Sequence, residues 1–163
     1  MTGERFPFVY PVRVHWGEVD RMGHVNNAMY ARYIESARVE YFAQVGMCDA
    51  RSAAPAPSNL VTPRTVPDNA GPIVARLSID FRRPVLHPDT VNVGVTTTKF
   101  GRTSAVHRYV LTSERFGGEV VAEGEVVWVV LDYPSGRPLP LPDALRQRIV
   151  AFEATVGRQV EGA

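Results

Sequence analysis

Apolar residues recur at two different periods along this chain, and the switch between them outlines its elements. Tyr10, Val12, Val14 and Trp16 alternate with Pro11, Arg13 and His15, and a period of two predicts a strand with one face inward. Gly17 to Val25 follows as a turn-rich stretch holding Asp20 and Gly23. The period then lengthens. Tyr30, Ile34, Ala37, Tyr41 and Val45 step by four, three, four and four, the stripe of an amphipathic helix. Asn26 suits the start of that helix, because its amide oxygen accepts from an orphan N–H of the first turn. Gly46 suits its end. A helix over 27–45 would run about 28 Å, enough to cross a whole sheet.

The stretch 49–71 has a different texture, broken by Pro55, Pro57, Pro63 and Pro67 and filled with Ala53, Ala54, Ala56 and Ser58. It reads as a long loop within one domain of residues 1–163, since the piece before it is too small to fold alone. Four runs rich in Val, Ile, Thr and aromatics follow, at 73–81, 91–100, 104–113 and 119–131. Short breaks between them favour antiparallel pairing of consecutive strands. A Pro/Gly turn segment over 133–142 leads to Asp143, the expected cap of a short helix over 143–155 carrying Leu145, Ile149 and Phe152. One long helix on a mostly antiparallel sheet is an α+β architecture.

Composition narrows the partners. The formal charge is 18 − 17 = +1, so no global field recommends nucleic acid or an acidic membrane surface. Seventeen of the 18 basic residues are arginine, Lys99 being the exception, which weakens any argument from a single arginine. Cys48 is the only cysteine, excluding an internal disulfide and any multi-cysteine metal site. The N-terminal residues lack the apolar core of a signal peptide, and no apolar run approaches a membrane span. A cytoplasmic location is the expectation.

From Trp16 the chain reads W-G-E-V-D-R-M-G-H-V-N-N-A-M-Y-A-R-Y-I-E-S-A-R. This string, with Gly101-Arg102-Thr103-Ser104 and Gly136-Arg137-Pro138 further on, resembles the hotdog-fold acyl-CoA thioesterases of the 4-hydroxybenzoyl-CoA thioesterase type. The resemblance covers roughly residues 8 to 150, and the loop 49–71 is its main departure. It implies a five-stranded antiparallel sheet wrapped round the helix. It also implies a homodimer or dimer of dimers with sites between protomers, and no metal or organic cofactor.

A thioester carbonyl is already electrophilic, so catalysis requires an oxyanion donor and an activated nucleophile. The first turn of a helix presents unsatisfied N–H groups and the positive end of its dipole. By position in the family motif, the N–H of Asn27 is that donor, with Gly23 and Val25 on the approach of the substrate. Asp20 feeds the same helix start and would act as general base or as direct nucleophile. The competing role for Asp20 is a turn residue bonding its own backbone. His24 would assist at the thioester, or serve as a loop histidine bonded to backbone. Glu35 is a rival carboxylate, but it lies about two turns into the helix, where pairing with Arg32 or Arg38 accounts for it. The phosphates of coenzyme A call for cations: Arg102 with Thr103 and Ser104 is one set, Arg82 and Arg83 another, and solvated arginine the alternative for both.

The resulting expectation is hydrolysis of an acyl-CoA to acid and free coenzyme A, with acyl carrier protein left open as a carrier. Two other readings stand beside it. A hotdog enoyl-CoA hydratase would space and flank its Asp and His differently from Asp20 and His24. A non-catalytic acyl-CoA-binding regulator of this type would carry a DNA-binding segment ahead of the first strand, where about eight residues precede it here.

Overall fold

The computed structural model describes residues 4–47 and 65–163; most of the expected loop 49–71 and Cys48 lie outside the described residues. Strand β1 is Phe8–Arg13, helix α1 is Asn27–Gln44, and strands β2 to β5 are Ala70–Phe81, Thr90–Phe100, Ser104–Ser113 and Glu119–Asp132. A short β6 (Arg137–Leu139) and helix α2 (Asp143–Ala154) complete the chain. The strands form one antiparallel sheet in the order β1-β3-β4-β5-β2, with β6 paired to the end of β5. This is the hotdog fold: α1 crosses the concave face of the sheet and buries Tyr30, Tyr33, Ile34, Ala37, Tyr41 and Phe42.

Four local expectations require correction. Trp16 is not in β1. Val14 donates its N–H to Asp89 and the chain then tightens into a 3-10 turn over Trp16–Glu18, leaving Trp16 79% exposed. The strand expected at 73–81 starts earlier, at Ala70, inside the expected loop. It pairs with β5 and not with the strand that follows it. Residues 82–89 instead carry the chain round one end of the sheet, and Asp89 anchors the crossing by accepting from Ser113 Oγ and from the N–H groups of Thr90 and Arg115. Finally, Asp143 is the first residue of α2 and makes no capping bond; Pro142 occupies the cap.

The two edges of the sheet differ. At one edge β1 has α1 packed against it. At the other, β2 runs for 12 residues with Val74, Leu77 and Phe81 each more than a third exposed. Their partners on β5 are Trp128, Val126 and Ala122, all fully buried. Directly paired residues share a face of the sheet, so these β2 side chains point toward the helix side and are only half covered there. No helix among the described residues is long and apolar enough to cross a membrane.

Candidate active site

The loop between β1 and α1 is built as a tight hairpin. Val19 and Val25 bridge antiparallel, the N–H of Asp20 donates to the carbonyl of His24 at 2.8 Å, and that of Gly23 donates to Asp20 at 3.0 Å. Gly23 has φ 81°, the left-handed region that a β-carbon disfavours. An ideal β-carbon there would meet no protein atom within 4 Å, so within the protein it is the turn that calls for the glycine. The loop is fastened to α1 through Glu18. Its carboxylate accepts from the Tyr33 hydroxyl at 2.6 Å and from the His15 N–H at 2.9 Å, while its carbonyl accepts from Asn26. Sequence reasoning missed this anchor, because no local period links residues 18 and 33. Burial, together with the neighbouring Glu18 carboxylate, holds the Tyr33 hydroxyl well above its ordinary range.

At the helix start the donors are unequally satisfied. Ala28 N–H bonds the side chain of Asn26 at 2.9 Å, and Met29 N–H bonds the Asn26 carbonyl at 2.9 Å. The N–H of Asn27 has no acceptor among the described residues. Asn27 and Asp20 line the same cavity, a space of about 410 Å³ bounded also by His24, Tyr30, Phe81 and Arg82. Val25, Arg83, Met22 and Pro84 line it too. Asp20 does bond its own turn, with Oδ1 accepting from Met22 N–H at 2.8 Å. Its second oxygen has no partner among the described residues. The turn role and an available carboxylate oxygen therefore coexist in one residue.

Of the expected phosphate-binding sets, the structure brings one to this cavity. Arg82 Nε reaches Glu123 at 3.3 Å, and Arg83 pairs with Glu119 at 2.7 Å while lying over the Phe116 ring. Both are half-exposed and both border the cavity. Arg102, Thr103 and Ser104 are elsewhere. Ser104 pairs with Val129, whereas Phe81 pairs with Ala122; seven residues of strand put about 24 Å between these positions. The carbonyls of Arg102 and Thr103 accept from Leu141 and Val130, closing the end of the sheet. Glu35 is also outside the cavity, 65% exposed and 3.6 Å from Arg38. Tyr30 was legible as part of the core stripe and of the motif, but not as a cavity residue; its ring meets Phe81 edge-on at 5.0 Å and both line the cavity.

Known proteins are similar to this chain in sequence and fold. A thioesterase of Thermus thermophilus, solved with coenzyme A and Zn, is 36% identical, with a TM-score of 0.73 over 98% of this chain and 100% of that one. The PA2801 protein of Pseudomonas aeruginosa is 29% identical with a TM-score of 0.72, over 89% of this chain and 99% of that one. The long-chain acyl-CoA thioesterase FadM of Escherichia coli is 25% identical over 138 residues, 85% of this chain and 93% of that protein. The thioesterase-like superfamily model matches residues 14–149. With most of its length matched by that model, and with thioesterases among the proteins it resembles, the chain belongs to the thioesterase-like superfamily and is a hotdog-fold thioester hydrolase.

Proposed function

We propose that Asp20 and the N–H of Asn27 hydrolyse an acyl-CoA thioester bound in the cavity between them. The observation that carries this reading is the pairing of one unspent helix N–H with one unpartnered carboxylate oxygen on the same cavity. The thioester oxygen sits at Asn27 N–H, where the helix dipole favours the developing negative charge. Asp20 takes a proton from water as the water oxygen bonds the carbonyl carbon. The tetrahedral oxyanion then collapses, the C–S bond breaks, and the coenzyme A thiolate leaves and is protonated. Direct attack by Asp20 gives a mixed anhydride that water opens in a second step, and the same geometry serves it. His24 borders the cavity, where it would orient the water. Arg82 and Arg83 supply cations for the phosphates. Release of free thiol from a panel of acyl-CoAs tests the reading; a folded protein that releases none from any chain length would end it.

A second protomer at β2 would complete this site. Asp80 stands opposite Glu123, a like-charged pair, and has no ion pair among the described residues. An antiparallel β2–β2 seam centred on Ser78 sets Arg76 against the partner subunit's Asp80, covers a strand that pairs on one side only among the described residues, and extends the sheet across both protomers. It also brings Arg102, Thr103 and Ser104 of the partner subunit to the Asp20 end of the molecule, roughly three strand spacings or about 14 Å from β2. Light scattering should give a dimer or a multiple of it. Asp80→Arg should lower the mass toward a monomer, and adding Arg76→Asp should restore it. A wild-type monomer whose activity ignores dilution would refute the seam.

A further inference from the structure

Two polar atoms in the middle of the protein lack a partner among the described residues. His107 and Trp128 are both fully buried, and neither His107 Nε2 nor Trp128 Nε1 has a hydrogen-bond partner there. Orphaned buried donors are rare because each forfeits its bonds to water. Two adjacent ones, with ring centroids 5.4 Å apart, form a site that asks for a ligand atom. Trp Nε1–H is a donor only, so the missing partner must carry an acceptor. His107 Nδ1 is 3.1 Å from the Tyr109 hydroxyl, and either tautomer leaves Nε2 one bond to make. With the rings this close, one oxygen between them would answer both: it would accept from Trp128, and accept from or donate to His107. A third feature favours oxygen. The Arg38 side chain, only 13% exposed, lies near enough to bias both His107 and Tyr109 electrostatically.

The position of this pair relative to the catalytic cavity gives it meaning. His107 and Trp128 lie on the concave face beneath the second half of α1, with the Phe42 ring 5.4 and 5.0 Å away. Arg38 is 11 residues along the helix from Asn27, about 16 Å. Between the two points runs the half-covered inner face of β2, from Phe81 in the cavity wall through Leu77 to Val74, which pairs directly with Trp128. An apolar track thus leads from the thioester position to Val74, beside Trp128 and close to the two unpartnered ring nitrogens.

We propose that the acyl group lies along this track and carries an oxygen, as a hydroxyl or carboxyl, at the end remote from the thioester, where Trp128 and His107 bind it. The proposal rests on the thioesterase reading above and names the substrate class of that site. A plain methyl-ended chain would leave both nitrogens unpaired. Sites with buried polar groups reject analogues that cannot bond them, so the preference should be roughly 10- to 100-fold.

The probes are tetradecanoyl-CoA and its ω-hydroxy and ω-carboxy forms, compared by kcat/KM; the two oxygenated forms distinguish hydroxyl from carboxyl. The wild type should favour one or both over the methyl-ended chain. Trp128→Phe and His107→Phe should each collapse that ratio toward one, chiefly by losing the oxygen-ended substrate. Equal rates for all three, as a buried water satisfying both rings would produce, overturn the proposal. So does a preference that persists in both variants. A binding measurement separates this outcome from failure of the thioesterase reading and covers variants that do not fold. The chain has two tryptophans, so Trp16→Phe leaves Trp128 as the sole indole reporter. Its emission should respond to free ω-hydroxy- or ω-carboxytetradecanoic acid at concentrations where tetradecanoic acid has no effect; equal responses to all three overturn the proposal even with no hydrolysis observed.

Discussion

Asp20 and Glu153 are both carboxyl groups held by hydrogen bonds, and they are held to opposite ends. Glu153, in the last turn of α2, is fully buried. Its Oε1 accepts from the Tyr41 hydroxyl at 2.7 Å and from Thr97 N–H at 2.6 Å, while Oε2 accepts from Thr96 Oγ1 at 2.6 Å. Every oxygen is engaged, and α2, α1 and β3 are joined at one point. Asp20, which lines the cavity, has one oxygen tied to Met22 N–H and the other without a partner among the described residues. A fully engaged carboxyl is part of the scaffold, because any reaction at it would first break bonds that hold elements together. A half-engaged one is oriented by its first bond and free to react through its second atom. Replacing each by its amide, which keeps the shape and removes the charge, separates the two roles.

At Asp20 the amide should have the largest effect. Asn retains an Oδ1 acceptor for Met22, so the hairpin survives and thermal stability stays near native. The reacting oxygen becomes an NH₂ that neither deprotonates water nor attacks a carbonyl. Turnover should fall by about 10²- to 10⁴-fold with little change in KM, measured by thiol release. Glu35→Gln is the paired control, because Glu35 points outward beside Arg38; its rate should stay native. Activity that survived Asp20→Asn and vanished with Glu35→Gln, in a folded protein, would move the carboxylate role to the helix.

Glu153 should behave in reverse. In Glu153→Gln the carbonyl can take the place of Oε1, and Thr96 Oγ1 can turn to accept from the new NH₂, so stability and rate should stay close to native. Glu153→Ala removes the acceptors and leaves Thr96 Oγ1 and Thr97 N–H buried without them. That should cost roughly 3 kcal/mol or more, about a 6–12 °C fall in Tm for a domain of this size. Turnover at temperatures where the variant is folded should change little. An Ala variant that melts with the wild type would show that the network contributes nothing.

The same contrast explains which parts were legible in the sequence. The helix, its Asn26 cap and the carboxylate loop were readable because their signals are local: a stripe of period 3.6, a cap residue at the right place, a motif within a dozen residues. Glu153 was not. It follows Phe152, a core position by periodicity, and that periodicity does not reveal that Tyr41 and Thr97, over 50 positions away, wait to bond a carboxyl beside it. The partner of β2 was missed for a related reason. A short link between strands 73–81 and 91–100 favours pairing, but burial of the Val85 side chain and the bonds at Asp89 carry the chain round the sheet instead. Trp16 fitted the alternation and still left the strand, because Glu18 draws His15 into a turn.

The smallest expected effect lies at His107, whose imidazole is bonded through Nδ1 alone among the described residues. Burial, and then the positive charge of Arg38, push His107 from the ordinary 6.5 down to about 3. The folded state therefore keeps this ring neutral at pH values where the unfolded chain has already taken up a proton. Between these two pKa values the unfolded state binds more protons, so stability rises with pH and falls as pH drops below about 6.5. The slope approaches about 1.4 kcal/mol per pH unit, which amounts to roughly 2 kcal/mol lost on going from pH 7 to pH 5. That interval lies mostly above the range in which carboxylates titrate, so the histidine contribution can be isolated. Urea unfolding at pH 7 and pH 5 should show the loss in the wild type, and His107→Phe should remove most of the difference whatever its own absolute stability. His87→Phe, in the crossing after β2, serves as the control and should retain the wild-type dependence. Parallel pH profiles for wild type and His107→Phe would mean that His107 is not held neutral by its surroundings.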